Sequence, residues 1–278
     1  MDLCALAPRL RHDPAGYWTA PVSDRVSYPP GGSEFCFGVE DRSFWFTHRN
    51  NAVISAVRLY PPGPGPIFDV GAGNGFVAAG LIAAGFETIA IEPHEAGAAN
   101  CVRRGVSHVV RGTLQSAGFL PQSAGAVGLF DVLEHTEDDA AFLKDAVRCV
   151  APGGRVYVTV PAYQALWSDE DEAGGHYRRY NRSQLRDVLA GAGCRVEYVG
   201  YLFWWLPLAV ACFRVLPEKL RWRGRVMRPV RSQHTLGGAF PRRVAAATLA
   251  PELAWVRRGR ALPFGGSCLA VARVPASG

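Results

Sequence analysis

The chain has 278 residues, of which 49% are hydrophobic, and its net charge is +6. This length and apolar content suffice for a full hydrophobic core, which excludes a disordered chain and fits one α/β domain with additions. Seven scattered cysteines without a C-x-x-C pair argue against a disulfide framework or a zinc cluster. No apolar run of signal-peptide length follows Met1, so we expect a cytoplasmic protein.

The positive charge is concentrated towards the C-terminus. From Tyr201 onward there are thirteen Lys or Arg residues against only Glu218 and Glu252. A segment of this kind suits an anionic substrate, an acidic partner, nucleic acid or a membrane surface, and equally a solvated basic face. These alternatives stay open on charge alone.

The N-terminal region is expected to differ from the rest of the chain. Residues 1–40 are rich in Pro, Gly and Ser, which predicts an irregular arm. Apolar residues then recur at helical spacing over 52–59, before Pro61 and Pro62 stop the helix. We therefore separate an arm and helix over 1–60 from a main domain over 61–278.

A strand, a glycine-rich turn and a helix of small residues are predicted over 67–84. From Asp69 to Gly75 the turn reads Asp-x-Gly-x-Gly-x-Gly. Because Phe76 takes the third glycine position of a dinucleotide fingerprint, the spacing argues against NAD. Twenty-one residues after Gly71, a second predicted strand ends in Glu92, an acid placed to accept bonds from two ribose hydroxyls.

These residues resemble the class I S-adenosylmethionine-dependent methyltransferases. The resemblance implies an α/β, Rossmann-like fold whose seven-stranded, mostly parallel sheet ends in an antiparallel strand and carries helices on both faces. It implies S-adenosylmethionine as cofactor and S-adenosylhomocysteine as product. The cofactor contacts that it implies are Asp69, Gly71, Ala72, Gly73, Asn74, Gly75, Glu92, Pro93, Gly112, Thr113, Asp131 and Val132.

In this fold, helices before the first strand often cover the cofactor. The helix within 1–60 is therefore expected to act as a lid, and Trp45, His48 and Arg49 are expected to face the ligands. Simple core packing is the alternative for Trp45.

A predicted strand over 126–130 leads into Asp-Val-Leu-Glu-His, which starts at Asp131. Catalytic groups in open α/β sheets gather at such strand ends. The motif resembles small-molecule methyltransferases of the quinone O-methylating kind, which implies that Glu134 and His135 face the substrate and that His135 takes up a proton. Some relatives bind a divalent ion here, and Asp131, Glu134 and His135, with His176, are the alternative metal set. We favour a site without metal.

The segment 161–180 is expected to be a substrate loop, because it holds two glycines, aromatic residues, a histidine and paired arginines. Its Gly-His-Tyr-Arg-Arg-Tyr sequence resembles a bacterial subgroup of the methyltransferases. We expect His176 to be a general base and Arg178 or Arg179 to bind a carboxylate or phosphate. The alternative is that both arginines pair with the acids of 169–172. The residues expected to wall the acceptor are Tyr163, Trp167 and Tyr180.

The C-terminal part is predicted to complete the sheet around an insertion. Ser183 is expected to cap a helix that ends near Leu189, and strands are expected over 195–201 and 266–272. The insertion, 202–262, is expected to cover the substrate pocket. Its apolar start is too short to span a bilayer, which needs ~20 residues. A peripheral membrane contact through 202–232, a pocket roof and a homodimer contact stay open.

The sequence predicts an enzyme that transfers a methyl group, by in-line displacement, to O or N of a small anionic metabolite, with carbon left open. A non-catalytic cofactor-binding subunit and a methyltransferase with a membrane-associated, lipid-like acceptor are the alternatives. A NAD-linked oxidoreductase is disfavoured, because the glycine spacing is wrong and no Tyr-x-x-x-Lys pair is present. Nucleic acid is disfavoured as a substrate, since only the basic C-terminal part supports it.

Overall fold

The computed structural model describes residues 1–20, 37–215 and 239–276. The helices are α1 (Leu3–Leu6), α2 (Phe44–Leu59), α3 (Phe76–Ala83), α4 (Glu95–Arg103), α5 (Leu114–Ala117), α6 (Asp139–Cys149), α7 (Asp169–Gly174), α8 (Arg182–Gly191), α9 (Leu206–Val210) and α10 (Ala239–Arg257). The strands are β1 (Arg11–His12), β2 (Trp18–Thr19), β3 (Ile67–Val70), β4 (Thr88–Glu92), β5 (Val109–Arg111), β6 (Ala124–Phe130), β7 (Val150–Pro161), β8 (Arg195–Leu202) and β9 (Ser267–Arg273).

These strands form one sheet in the order β1-β2-β5-β4-β3-β6-β7-β9-β8. The sheet has nine strands rather than the predicted seven, because two short strands of the N-terminal arm extend one edge. β2 pairs in parallel with β5, and β1 pairs antiparallel with β2. The prediction of an irregular arm was therefore wrong for the described residues 1–20, where backbone hydrogen bonds to the sheet edge order the chain.

The predicted antiparallel last strand is confirmed. β9 lies between β7 and β8 and runs antiparallel to both, with Ala270 opposite Val158 on one side and Val199 on the other. The strands from β3 to β7 are parallel, and β3 lies between β4 and β6. Because the order of strands reverses at β3, the carboxyl ends of β3 and β6 flank the crevice in which such sheets bind ligands.

Side chains alternate between two faces along each strand, and both faces are covered by helices. On β3, Phe68 belongs to the core that includes Leu143 of α6 and Leu185 of α8. The neighbouring Ile67 belongs to the opposite core, with Val53 of α2 among its members. This two-sided burial is what the continuous apolar runs of the central strands require.

Two boundaries differ from the sequence prediction. Asn181, not Ser183, caps α8, because its side chain accepts from the backbone N–H of Gln184 at 2.9 Å while that glutamine bonds back. The sequence favours a helix over 140–150 that the Pro-Gly-Gly at 152–154 closes, with a strand only from Arg155, but β7 begins at Val150 and includes the Pro-Gly-Gly. A register shift where β6 meets β7 accommodates the extra residues.

The insertion between β8 and β9 packs partly on the predicted substrate loop. Val210 and Val215 form a small buried cluster with Leu166 of that loop, whereas Trp204 and Leu208 are exposed. No helix among the described residues is long and apolar enough to cross a membrane. Residues 216–238 lie outside the described ranges, so the expected membrane contact over 202–232 falls largely on a part that the structure does not describe.

Candidate active site

The glycine turn after β3 brings bare backbone to the carboxyl edge of the sheet. Gly71, Gly73 and Gly75 have φ values of 68°, 56° and 75°, a region that favours glycine. A Cβ on Gly71 would lie 2.8 Å from Cγ2 of Val132, so the turn packs directly on the segment that follows β6. Ala72 donates its N–H to Ile91, which ties the turn to β4.

Asp69 is a buried acid directly before this turn. Its side chain is almost fully enclosed, and its Oδ2 accepts no hydrogen bond from the described residues. Burial raises the pKa of Asp69 to about 7, although Arg49 and a backbone bond from Ala78 act in the opposite direction. A buried carboxylate oxygen without a partner is a group that a cationic part of a ligand would satisfy.

Glu92 is held against the glycine turn at the end of β4. Its Oε2 accepts the N–H of Gly73 at 2.8 Å, and its Oε1 accepts that of His94 at 2.9 Å. Nδ1 of His94 also lies 3.1 Å from Oε1, so the acceptor capacity left for hydroxyls is mainly on Oε2. Pro93 follows at the edge, half-buried. Sequence analysis missed Gly97, where a Cβ would lie 2.7 Å from Cγ of Glu92.

The side chain of Asn74 is buried in a polar network. Its amide donates to Glu40 at 3.0 Å and accepts from Asn100 at 2.9 Å. Arg104 completes the network through Glu40, at 2.7 Å, and through the backbone oxygen of Asn74, at 3.1 Å. Only the backbone of Asn74 is therefore placed for the predicted cofactor contact.

Gly112 and Thr113 lie at the same edge, after β5. The N–H of Gly112 donates to the backbone oxygen of Glu92 at 3.1 Å, and a Cβ on Gly112 would lie 2.7 Å from Cβ of Ala20. The hydroxyl of Thr113 caps α5 by accepting from Ser116 at 3.0 Å. These two predicted cofactor contacts thus lie beside the N-terminal arm.

Asp131, the first residue after β6, pairs with a cation from α2, the helix expected to act as a lid. Its φ of 59° is unusual for a non-glycine residue. Its Oδ2 accepts from Arg49 of α2, and its Oδ1 accepts from the hydroxyl of Thr159 at 3.1 Å. Arg49 is buried, and its guanidinium lies over the ring of Trp45 at 4.7 Å. The sequence placed Arg49 and Asp131 at the site but did not predict that they pair.

The structure brings the three predicted catalytic residues together. Glu134, His135 and His176 each offer one oxygen or nitrogen atom, and these atoms lie within 4.8 Å of one another. The two imidazole rings are 4.7 Å apart at 81°. Burial raises the pKa of Glu134 to about 8. Burial, followed by the nearby His176, lowers the pKa of His135 to about 4.

Asp171 positions His176 of this cluster through a hydrogen bond, and sequence analysis did not single it out. Its Oδ1 accepts from Nδ1 of His176 at 2.8 Å, and Arg179 donates to both of its oxygens at 2.7 and 2.9 Å. Burial acts to raise the pKa of Asp171, but the bonds from His176 and Arg179 outweigh it and hold the pKa at about 2. The only sequence signal was the spacing of five residues between Asp171 and His176.

Further contacts fasten the loop to the segment after β6. The N–H of Tyr177 donates to the backbone oxygen of Glu134 at 2.7 Å. Arg178 pairs with Asp139 at 3.1 Å, and the buried Tyr180 donates its hydroxyl to the same acid at 2.6 Å. Both arginines therefore pair with acids, Arg179 with Asp171 of the expected range 169–172 and Arg178 with Asp139 of α6, which lies outside that range. Their contact with an acceptor stays a prediction.

Two other loop residues that were predicted to line the acceptor site make aromatic and polar contacts within the protein. Tyr163 stacks on Tyr201, with ring centroids 5.0 Å apart, and also lies 5.7 Å from the ring of Phe264. Trp167 points its indole N–H towards Glu172 at 3.5 Å. The Tyr163 contacts hold the loop against β8 and the segment before β9, whereas the Trp167 contact lies within the loop.

The lid helix is fixed to the C-terminal part of the chain. Trp45 stacks on Phe203 with centroids 5.6 Å apart, which is the core-packing alternative for this residue. His48 contacts Glu252 of α10 at 2.6 Å through its Nε2. Of the three lid residues predicted to face ligands, Arg49 is the one paired with an acid at the end of β6.

Comparison with known proteins identifies the family of this chain. The family model described as "Methyltransferase domain" matches residues 45–199. The chain is similar to a probable S-adenosylmethionine-dependent methyltransferase from Mycolicibacterium smegmatis, with 26% identity over 172 residues. The match covers 61% of this chain and 66% of that relative.

Solved structures show the same fold at low identity. One is a SAM-dependent methyltransferase from Thermotoga maritima, described as a possible histamine N-methyltransferase (TM-score 0.54, 17% identity, 87% of this chain and 94% of that one). Another is phosphoethanolamine N-methyltransferase 2 from Haemonchus contortus, solved with S-adenosyl-L-methionine (TM-score 0.52, 16% identity). The match covers 82% of this chain and 52% of that one. The chain therefore belongs to the methyltransferase-domain family, whose members use S-adenosylmethionine as cofactor.

Proposed function

We propose that this chain transfers a methyl group from S-adenosylmethionine to an acidic O–H or N–H of a small acceptor, which binds at Glu134, His135 and His176. The observation that carries the proposal is the meeting of these three side chains at the carboxyl end of β6. That position adjoins the glycine turn, because Val132 of the same segment packs on Gly71.

The residues around the turn fit this cofactor. Asp69 offers an unpartnered carboxylate oxygen that suits an ammonium group, and Glu92 offers acceptor capacity that suits ribose hydroxyls. The bare backbone at Gly71 and Gly73 allows close approach. When bound, S-adenosylmethionine supplies an electrophilic methyl group on sulfur.

The chain's own residues then have to position the acceptor and remove its proton. Asp171 accepts from Nδ1 of His176, which leaves Nε2 of this ring as the nitrogen that can accept a proton from the acceptor. The raised pKa of Glu134 keeps that carboxyl protonated near neutral pH, so that it can donate a hydrogen bond. Because Glu134 is buried, we expect the part of the acceptor that contacts it to be uncharged.

An anionic acceptor is the finer part of the proposal. Of the two loop arginines, Arg178 is the better candidate for its contact, because its side chain is 34% exposed, against 10% for Arg179. The Arg179 side chain makes three hydrogen bonds, two to Asp171 and one to the backbone oxygen of Ala162, which leave it little capacity for a ligand.

The test is to incubate purified protein with methyl-labelled S-adenosylmethionine and a metabolite extract, and to search for labelled products by mass spectrometry. We expect a labelled small molecule whose yield falls at least 100-fold in His176→Gln, since a positioned base contributes about 10²–10⁴-fold. His108→Gln is the matched control, because His108 lies in the turn before β5, away from the cluster.

Two results would contradict the proposal. Equal yields from His176→Gln and the wild-type protein would remove His176 from the chemistry. Binding of S-adenosylhomocysteine without any labelled product would favour the alternative of a non-catalytic cofactor-binding subunit.

A further inference from the structure

We propose that α10 and the neighbouring start of α9 form a surface that binds anionic lipid membranes at the level of their headgroups. This α9–α10 surface consists of exposed apolar side chains with exposed arginines at one end: Trp204, Leu208, Val244, Trp255, Arg257 and Arg258. It lies outside the candidate active site, so its role is independent of methyl transfer.

The helix α10 is apolar on the side that faces solvent as well as on the side that faces the protein. One stripe along it is buried, at Ala245, Leu249, Glu252 and Val256. A second stripe with the same spacing of four, three and four residues is exposed, at Val244, Thr248, Pro251 and Trp255. A helix that is apolar all round is normally covered on every side. The exposed stripe therefore indicates that something outside the described residues covers it.

Trp204 and Leu208 continue this apolar area from the end of β8 into α9. The indole N–H of Trp204 donates to the backbone oxygen of Thr248 at 3.2 Å, which places its ring against α10. Leu208 follows four residues later and is 62% exposed. Single exposed apolar side chains are ordinary, but a group of them on adjoining elements marks an interaction site.

The charge around this surface is of one sign. The helices α2, α9 and α10 contain a single acid between them, Glu252, and its side chain is fully buried. Arg257 and Arg258 are exposed at the end of α10, and Arg58 is exposed near the end of α2, which packs against α10. In the sequence, 216–238 adds six Lys or Arg residues and one acid. The described residues of these three helices thus present cations to solvent and no exposed acid.

This combination fits an anionic lipid surface better than a second copy of the chain. Two copies joined through this surface would bring like charges together without exposed acids to neutralise them. At a membrane, tryptophan rings lie at the headgroup level and aliphatic side chains reach the acyl boundary, while arginines are attracted by anionic lipids. Each kind of exposed side chain on the α9–α10 surface then has a partner.

The α9–α10 surface overlaps only in part with the membrane contact expected at 202–232. Trp204 and Leu208 belong to both, whereas α10 lies beyond the expected range. The sequence alone did not indicate α10, because which of its apolar stripes is buried depends on the packing against β8 and α2. The contact of Trp204 with Thr248 is what joins the two parts.

The test is flotation of the full-length protein with two kinds of vesicle, phosphatidylcholine alone and phosphatidylcholine mixed with phosphatidylserine. We expect at least about tenfold tighter binding to the mixed vesicles, and weaker binding as salt is added, because salt screens exposed charges. Leu208→Gln combined with Trp255→Gln should weaken binding to the mixed vesicles at least about tenfold, since apolar area that enters the interface is lost. Arg257→Gln combined with Arg258→Gln should weaken binding to the mixed vesicles alone.

Matched controls make the same changes elsewhere on the molecule. Leu120→Gln replaces a leucine that is 45% exposed between α5 and β6. Arg186→Gln replaces an exposed arginine on α8, on the opposite face of the sheet from α10. Both should bind like the wild-type protein. Since every substituted side chain is exposed, the variants should fold, and circular dichroism verifies it.

Absence of binding to the mixed vesicles would overturn the proposal, and so would binding that survives the combined Leu208 and Trp255 substitutions. Equally tight binding to neutral vesicles would contradict the part assigned to the arginines. Light scattering of the free protein distinguishes another occupant. A dimer that these two substitutions convert to a monomer would assign the surface to contact between copies and overturn the membrane site.

Discussion

At the scale of single residues, the candidate site contains buried acids whose pKa values are set by their surroundings. Asp69 is enclosed before the glycine turn with a raised pKa, whereas Asp171 is enclosed below the histidine cluster with a lowered one. The difference arises from partners, because Asp171 receives three bonds from His176 and Arg179. Asp69 has an oxygen without a partner among the described residues.

Asp69 should make the stability of the cofactor-free protein depend on pH. Its pKa of about 7 in the folded protein lies above the 3.8 of an unperturbed aspartate, so the folded state binds more protons between these values. The contribution of Asp69 to stability is therefore fully present below about pH 4 and is lost as the pH rises through 7. The full difference is on the order of 4 kcal/mol.

Urea unfolding of wild-type protein and Asp69→Asn from pH 5 to 8 checks this. We expect the free energy of unfolding of the wild type to fall relative to that of the variant as the pH rises. Parallel curves for the two proteins would mean that Asp69 titrates normally and is not enclosed in the folded state.

The sequence located most residues of the candidate site but not their partners. Asp69, Glu92, Glu134 and His176 follow from motifs that are local in the chain. The contacts of Arg49 with Asp131 and of Asp171 with His176 depend on side-chain geometry. Arg49 and Asp131 are distant in the sequence, and the five-residue spacing from Asp171 to His176 does not single out Asp171 within the run of four acids at 169–172.

At the scale of elements, the lid helix α2 is joined to α10 and to the end of β8 through Glu252. Its carboxylate contacts His48 at 2.6 Å and accepts the backbone N–H groups of Phe203 at 2.8 Å and Trp204 at 3.1 Å. The Glu252 side chain is fully buried. One side chain thus joins three segments that are distant in the sequence, and it holds the helix that carries Arg49.

Removing this carboxylate should be strongly destabilising. Glu252→Ala leaves His48 and two backbone N–H groups without their acceptor, so we expect a loss of about 3–5 kcal/mol in the free energy of unfolding. Denaturant unfolding measures it. Glu87→Ala, at an exposed position in the turn before β4, is the control and should change stability by less than about 0.5 kcal/mol. Equal effects of the two substitutions would contradict the role of Glu252 in joining α2, α10 and the end of β8.

The elements themselves were largely predictable because their signals are local. Periodic apolar residues and glycine turns located the central strands and helices to within a few residues. The prediction was wrong at β1 and β2, which have two residues each and are formed by pairing with the edge of the sheet rather than by their own sequence. It was also wrong about the cap of α8, where Asn181 and Ser183 are both good capping residues and only the local geometry decides.

At the scale of the whole molecule, the order of strands puts the site where it is. β3 and β6 are neighbours although 53 residues separate their ends at Val70 and Ala124, so Asp69 and the Glu134 cluster share one edge. The loop after β7 then reaches back over the same edge and supplies His176. The topology thereby places the glycine turn and the Glu134 cluster side by side.

Calorimetric titration with S-adenosylhomocysteine tests the central claim most directly. We predict that wild-type protein binds one equivalent and that Glu92→Ala binds at least tenfold more weakly, a loss of about 1.4 kcal/mol or more. Absence of heat with the wild-type protein, together with binding of a nicotinamide dinucleotide, would contradict the account.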